Sequence, residues 1–190
     1  MRITGEIASG IYGAWRLARG DVGGVGYFSG TREGFWHSFM AMAIVAPLFA
    51  LLLLLRYYDE ADLVSGVRFF AVQAIGYVVA WFIFPLIMFY VTQTINRERR
   101  FFAYIEAYNW SSVIQNAVYI PLALLAELEL IPLDLAHFLG FVVLTLVFVY
   151  TWFVARSALG ITGLIAAAIA AGDFILSVVL NMVVEGLIRG

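Results

Sequence analysis

Residues 101–126 read FFAYIEAYNWSSVIQNAVYIPLALLA, an apolar run with polar side chains along its length. A helix crosses the hydrocarbon layer of a membrane in about 20 mostly apolar residues, so this run is long enough to span a bilayer. At about 100° per residue, one polar arc of the helix holds Glu106, Asn109, Ser112 and Asn116. A second arc, nearly opposite, holds Tyr104, Ser111 and Gln115. A helix that is polar on two faces avoids lipid, so we predict that it lies at the centre of a bundle.

Four further apolar segments accompany this one, and together they predict an all-α fold: a polytopic transmembrane bundle of five helices. The predicted spans are residues 38–56, 68–94, 101–126, 136–156 and 160–188. Kinks are expected in the first three spans, which contain Pro47, Pro85 and Pro121. The chain is 64% hydrophobic, whereas roughly 45–50% of a soluble domain is apolar. Five spans leave little of the chain for a soluble catalytic domain.

Residues 1–36 precede the transmembrane domain, which we place at residues 37–190. Isoleucine or tryptophan recurs at every fourth position from residue 3 to Trp15, which predicts a short amphipathic helix over residues 3–19. Such a helix either lies in the plane of the lipid headgroups or packs on the ends of the bundle, and the pattern leaves both open. A glycine-rich loop follows from Gly20 to Gly34. Its glycines are misspaced for a dinucleotide fingerprint, so we predict a flexible turn into the bilayer.

The fifth predicted span carries a second polar stripe with a spacing of four residues. It consists of Asp173, Ser177, Asn181 and Glu185. An ionised side chain near the bilayer centre costs roughly 2.5–3.5 kcal/mol, so Asp173 requires a partner, water or a proton. The two stripes predict a polar seam between spans three and five. The seam either passes a proton, ion or small solute or locks the bundle by interhelical hydrogen bonds, worth about 0.6 kcal/mol each; we favour the second role.

The arginines predict the orientation, because cytoplasmic loops carry an excess of positive charge. Eight of them fall on one side of the predicted bundle: Arg2, Arg16, Arg19, Arg32, Arg97, Arg99, Arg100 and Arg156. The other side has Arg56, Arg68 and Arg189. The amino terminus is therefore expected in the cytoplasm and the carboxyl terminus in the periplasm. All eleven cationic residues are arginine, which suggests a GC-rich bacterial genome and hence a bacterial inner membrane. The residues expected at the lipid interface are Trp15, Arg16, Arg19, Arg32, Arg97, Arg99 and Arg100.

Several kinds of site are excluded by composition. The chain contains no cysteine, so disulfides and thiolate metal sites are absent, and it contains no lysine for a Walker-type phosphate loop. His37 and His137 fall at opposite predicted membrane faces and cannot share a metal ion. Ser111 and Ser112 have no histidine in reach for a hydrolase triad. We therefore predict no enzyme activity, no metal and no cofactor, and the arginine clusters are too small to predict nucleic-acid binding.

The stretch AYNWSSVIQ, from Ala107 to Gln115, is similar to the polar third span of bacterial proteins assigned to the Ypt-interacting-protein (Yip) domain family. The predicted layout also resembles that family, which has a cytoplasmic amino-terminal region, five closely spaced spans and an outside carboxyl terminus. The resemblance implies a non-enzymatic membrane protein. Eukaryotic members are adaptors for small GTPases and act in membrane shaping, but this chain has only a short amino-terminal segment, so GTPase binding is not implied.

Three functional hypotheses follow. The first is an adaptor, organiser or accessory subunit of a larger membrane complex, with lipids and other membrane-protein subunits, or a second copy, as partners. The second is a small transporter or channel that uses Glu106 and Asp173. The third, which we favour least, is an enzyme acting on lipid where the glycine-rich loop meets Arg19, Arg32 and the arginines of residues 97–100.

Overall fold

A computed structural model describes residues 2–60 and 64–190, and all regular structure in these residues is helical. The α-helices are α1 (Arg2–Ala18), α2 (Arg32–Ser38), α3 (Met40–Glu60), α4 (Gly66–Thr94), α5 (Phe101–Glu127), α6 (Leu133–Leu159) and α7 (Gly163–Arg189). Two short 3₁₀ helices, Val22–Tyr27 and Glu98–Arg100, lie between them. The all-α prediction is confirmed, and α3, α4 and α5 continue through Pro47, Pro85 and Pro121.

Four helices within the described residues are long and apolar enough to cross a membrane, which indicates a multi-pass membrane protein. They cover Arg32–Tyr58 (α2 continuing into α3), Gly66–Thr94, Leu133–Leu159 and Gly163–Arg189. The predicted third span forms α5, which has 27 residues but is not among these four. Its glutamate, asparagine, glutamine and serine side chains lower its hydropathy.

The five long helices pack in a ring, and α4 also contacts α5 across it. α3 contacts α5, α5 contacts α6, α6 contacts α7, α7 contacts α4, and α4 contacts α3. α5 also contacts α1 and α2, which lie outside the ring. Protein therefore surrounds α5 on both sides, and Tyr104, Ile105 and Ala107 near its amino-terminal end are fully buried. α5, the most polar of the long helices, is therefore the one with protein on most of its sides.

The amino-terminal helix α1 packs on the bundle, which was one of the two positions that its sequence left open. Gly10 lies so close to the indole of Trp110 that a Cβ there would be 2.5 Å from the ring. The Tyr150 hydroxyl of α6 donates a hydrogen bond to the Ala14 carbonyl (2.6 Å), and Leu17 is buried. The opposite face of α1 leaves Trp15 half exposed.

The glycine-rich loop contains regular structure, which differs from the flexible turn that we predicted. Its Val22–Tyr27 part is a 3₁₀ helix, capped by the Asp21 carboxylate, which accepts a hydrogen bond from the Gly23 amide (2.8 Å). A Cβ at Gly24 would lie 2.5 Å from the Gly13 carbonyl oxygen of α1. Glycine is required at position 24 because the backbone there touches the backbone of α1. The glycine therefore allows the loop to pack closely on this helix.

Candidate functional site: a cavity inside the helix ring

The five long helices line an open cavity of about 470 Å³. Each helix contributes to its wall: Val45 and Phe49 from α3; Tyr77, Ala80 and Trp81 from α4; Tyr108, Ser112, Gln115, Asn116 and Tyr119 from α5; Leu144, Val147, Phe148 and Thr151 from α6; Ala170, Asp173, Phe174 and Ser177 from α7. Pockets that bind small molecules typically measure about 300–1,000 Å³. The cavity is therefore large enough for a small organic molecule.

Asp173 supplies the charged side chain of the cavity wall. It lies ten residues after Gly163, the first residue of α7, or about 15 Å along the helix axis. Its Oδ1 accepts a hydrogen bond from the Tyr108 hydroxyl of α5 (2.8 Å). A carboxylate removed from water is stabilised by such a donor, and the remaining acceptor positions of Asp173 border the cavity.

Hydroxyl and amide side chains line the wall beside Asp173. The Gln115 amide nitrogen donates to Thr151 Oγ1 of α6 (3.2 Å), and the Asn116 amide nitrogen donates to the Ser112 carbonyl (2.8 Å). The amide oxygens of Gln115 and Asn116 receive no hydrogen bond from the described residues. Because these bonds hold the two side chains in place, their oxygens are positioned as acceptors at the cavity surface.

Aromatic rings form much of the remaining wall. Phe49 and Tyr77 stack with their ring centroids 4.7 Å apart and an interplanar angle of 18°. Tyr77 packs edge-on against Trp81 (6.2 Å), and its hydroxyl donates to the Met42 carbonyl (2.7 Å). These contacts connect α3 to α4 and fix the orientation of the rings.

A second recess of about 340 Å³ continues from the cavity between α5 and α6. It shares five wall residues with the cavity: Gln115, Asn116, Tyr119, Leu144 and Val147. The recess adds Gly140 and Val143, nearer the amino-terminal end of α6. The two spaces together form an elongated site with Asp173 towards one end.

The structure divides the predicted polar seam. Ser112, Asn116, Asp173 and Ser177 share the cavity wall, as the seam predicts. Glu106 and Asn109 do not line the cavity; Glu106 accepts hydrogen bonds from Ser29, and Asn109 donates one to Ser38 of α2. Asn181 is exposed, and Glu185 lies 3.6 Å from Arg189 within α7 itself. Four residues that the sequence places in the seam therefore lie away from the cavity wall: Glu106, Asn109, Asn181 and Glu185.

Tyr108 is the cavity residue that sequence reasoning missed. Its side chain lies between the two predicted polar arcs of α5, and neither arc includes it. Its spacing of four residues from Ser112 was the available signal, since positions i and i+4 share a helix face.

Glu106 instead anchors the amino-terminal segment. It is 4% exposed, and its carboxylate accepts hydrogen bonds from the Ser29 amide (2.8 Å) and the Ser29 hydroxyl (3.0 Å). Asn109 donates from its amide nitrogen to the Ser38 hydroxyl (2.8 Å). Beside Glu106 lies a cleft of about 490 Å³ between α1 and the 26–37 segment, where Glu6 contacts His37.

The side chains expected at the lipid interface differ in their contacts. Trp15 is half exposed, and Arg19, Arg32, Arg97, Arg99 and Arg100 are exposed. Arg16 is partly enclosed by Asp21, with Nε of Arg16 2.6 Å from Oδ2 of Asp21. Arg97 and Arg100 donate to the carbonyls of Gly160 and Ala158 at the end of α6 (3.5 Å each).

Comparisons of this chain with protein-family models, with curated proteins and with solved structures found no match. Within residues 2–60 and 64–190, histidine, aspartate and glutamate form no group of three or more that fits a metal ion. The groups that line the cavity are one carboxylate, several hydroxyl and amide groups, and aromatic rings.

Proposed function

We propose that this chain is a transport protein that binds a cationic solute in the cavity around Asp173. One observation carries the proposal: a carboxylate held by Tyr108 borders a cavity with walls from all five long helices. An ionisable residue placed within transmembrane helices is costly and commonly marks a solute or proton pathway. This is the second of the three hypotheses from the sequence, without the part assigned to Glu106. In this role the protein is not an enzyme.

The proposal includes α5 as a fifth membrane span. At 1.5 Å per residue, its 27 residues reach about 40 Å, which exceeds the hydrocarbon thickness of about 30 Å. The polar side chains of α5 point to the cavity or to α2 and the amino-terminal segment, so they need not meet lipid. Five spans place the amino terminus and carboxyl terminus on opposite sides, and the arginine distribution favours a cytoplasmic amino terminus in a bacterial inner membrane.

Introduced cysteines test the number of spans, because the natural chain has none. Arg99→Cys and Asp134→Cys lie just before α5 and at the start of α6. If α5 crosses the membrane, a membrane-impermeant maleimide applied to intact spheroplasts labels Asp134→Cys and spares Arg99→Cys. Labelling of both, or of neither, would mean that the two ends of α5 lie on one side. Labelling of Arg99→Cys alone would reverse the orientation.

Reconstitution tests transport. The full chain is inserted into proteoliposomes, and uptake of ²²Na⁺ and of protons, the latter read by internal pyranine, is driven by a potassium diffusion potential. We expect uptake of at least one probe above that of protein-free vesicles, its loss in Asp173→Asn, and its retention in Glu185→Gln. Glu185 is the matched control because it carries the same charge on the same helix away from the cavity wall. Equal uptake by both variants, or uptake of neither these probes nor ¹⁴C-tetraethylammonium under the same potential, would overturn the proposal.

The second candidate function is the adaptor or accessory-subunit role that the Yip resemblance implies. It is favoured by exposed aromatic side chains on the outer face of the amino-terminal segment: Tyr12 (51%), Trp15 (50%) and Trp36 (55%). Arg19 and Arg32 are exposed on the same segment, so this surface fits lipid headgroups or an acidic neighbouring subunit. Mild-detergent purification from native membranes, followed by a native gel and mass spectrometry, tests it. A stoichiometric heteromeric complex would support an accessory subunit, and a lone monomer or homo-oligomer would not.

A further inference from the structure

We propose that the cavity around Asp173 selects a hydrophobic organic cation, such as an aryl phosphonium, a quaternary ammonium or a protonated aromatic amine. The inference rests on the proposed function, because it names the class of solute that the transport site takes. Charge, aromatic composition, hydrogen-bonding capacity and shape each support it.

The charge on the wall excludes anions. Asp173 is ionisable as a carboxylate, and the eighteen wall residues include no arginine or histidine. Like charges close together in a poorly solvated space repel strongly, so an anionic solute would lack a counter-charge there. A cation would restore neutrality and recover part of the desolvation cost of the carboxylate.

The aromatic residues favour an organic cation over a metal ion. Phe49, Tyr77, Trp81, Phe148 and Phe174 all border the space that Asp173 faces. A cation within about 6 Å of a ring face is attracted by the ring quadrupole, and quaternary ammonium groups are commonly recognised in this way. A Ca²⁺ ion takes about six to eight converging oxygen ligands, whereas this wall offers one carboxylate among several aromatic rings.

The shape of the site fits a ligand with a charged head and an apolar body. The carboxylate lies in the cavity of about 470 Å³, and the adjoining recess of about 340 Å³ is walled mainly by Gly140, Val143, Leu144 and Val147. The amide oxygens of Gln115 and Asn116 lie at the junction of the two spaces. The N–H groups of a protonated aromatic amine would therefore meet acceptors there, and the hydrocarbon part of any ligand of this class would lie in the recess.

Binding of tetraphenylphosphonium tests the inference, with tetraphenylborate as a probe of the same shape and opposite charge. The full chain is purified in detergent, and binding of each probe is measured by isothermal titration calorimetry. We expect saturable binding of tetraphenylphosphonium and binding of tetraphenylborate weaker by about tenfold or more. Equal affinity for the two probes, or no saturable binding of the phosphonium, would overturn the inference.

Two variants show whether binding occurs at this site. Asp173→Asn should weaken phosphonium binding about tenfold or more, while Glu185→Gln should leave it unchanged. Asn116→Trp keeps the carboxylate but fills the junction of the two spaces, so it should also abolish binding, and it remains informative if Asp173→Asn does not fold. Unchanged binding in a folded Asn116→Trp or Asp173→Asn would contradict the site.

Different results would contradict transport and the proposed class of ligand. Sodium or proton uptake that depends on Asp173, together with no preference for tetraphenylphosphonium over tetraphenylborate, would leave transport standing and overturn the ligand class. Selective phosphonium binding that Asp173→Asn abolishes, without any uptake in proteoliposomes, would support the site and overturn transport.

Discussion

The Tyr108 hydroxyl donates a hydrogen bond to Oδ1 of Asp173 over 2.8 Å, which joins α5 to α7 across the cavity. The Tyr108 ring packs against Phe84 of α4 at 4.4 Å between centroids, so three helices hold this pair. One turn earlier, Tyr104 is fully buried, and its hydroxyl has no partner in the described residues. The carboxylate thus has a fixed donor on one side and the open cavity on the other.

Replacing Tyr108 with phenylalanine should destabilise the bundle by about 0.6 kcal/mol, the average measured for interhelical hydrogen bonds in a membrane protein, and by no more than about 1.7 kcal/mol. The free energy of unfolding is measured in mixed dodecyl maltoside and SDS micelles by far-UV circular dichroism. Tyr90→Phe is the matched control, since Tyr90 is 64% exposed. In a double-mutant cycle with Asp173→Ala, the two changes should be non-additive because they remove the same bond. Additive effects would show that the bond contributes nothing to stability.

Removing the Glu106 carboxylate should release the segment around Ser29. Glu106→Ala leaves the Ser29 amide without its acceptor, and an unsatisfied polar group costs about 1–3 kcal/mol. Glu106→Gln keeps one acceptor oxygen and should cost less. Hydrogen–deuterium exchange of residues 28–31, read by mass spectrometry, should increase in the order wild type, Glu106→Gln, Glu106→Ala. Glu33→Gln is the control because Glu33 is exposed beside the same cleft; an equal increase in that variant would refute the anchoring role.

Two glycines of α1 should respond oppositely to alanine. At Gly10 an added Cβ would lie 2.5 Å from the Trp110 indole, whereas at Gly5 nothing lies within 4 Å. Gly10→Ala should therefore cost about 1–3 kcal/mol through overpacking. Gly5→Ala should be neutral or stabilise the protein by up to about 1 kcal/mol through helix propensity. The SDS unfolding assay measures both, and equal effects would mean that α1 does not pack on α5 as described.

Most of the fold could be predicted from apolar segment length, because a spanning helix must satisfy its own backbone polar groups. The positions of all five long helices follow from that constraint. The position of α1 was not predictable, because its amphipathic pattern fits both a lipid surface and the flank of the bundle. The packing of the glycine-rich loop could not be predicted either. Gly13 and Gly24 touch, but no periodic pattern in the sequence indicates that the two segments meet.

The candidate site could be predicted only in part. Asp173 stood out because a carboxylate within an apolar span is costly. The sequence places Glu106 and Ser112 on one polar arc of α5, yet Glu106 contacts the amino-terminal segment and Ser112 borders the cavity. A helical wheel gives the angular positions of the side chains around one helix, but it does not show which neighbouring helix each side chain faces. Tyr108 escaped because tyrosine is common both in cores and at membrane interfaces.

Acid should loosen the junction between α1 and the 3₁₀ helix that follows it. The Arg16 guanidinium, which donates to the carboxylate at 2.6 Å, and the Gly23 amide hold the pKa of Asp21 below its ordinary value. Because the pKa is lower in the folded state, the stabilisation is present above the ordinary pKa of about 3.9 and is lost as the pH falls through the lower folded value. Titration of the Asp21 carboxyl by ¹³C NMR in micelles should show this lowered pKa.

Arg16→Gln separates the effects of the Arg16 guanidinium and of the Gly23 amide on the pKa of Asp21. It removes the guanidinium but keeps the Gly23 amide, so the pKa of Asp21 should move back towards its ordinary value without reaching it. Arg19→Gln is the matched control, because Arg19 is exposed just after the end of the same helix and should change the titration much less. An Asp21 pKa that is the same in Arg16→Gln and in the wild type would contradict the ion pair as the main cause.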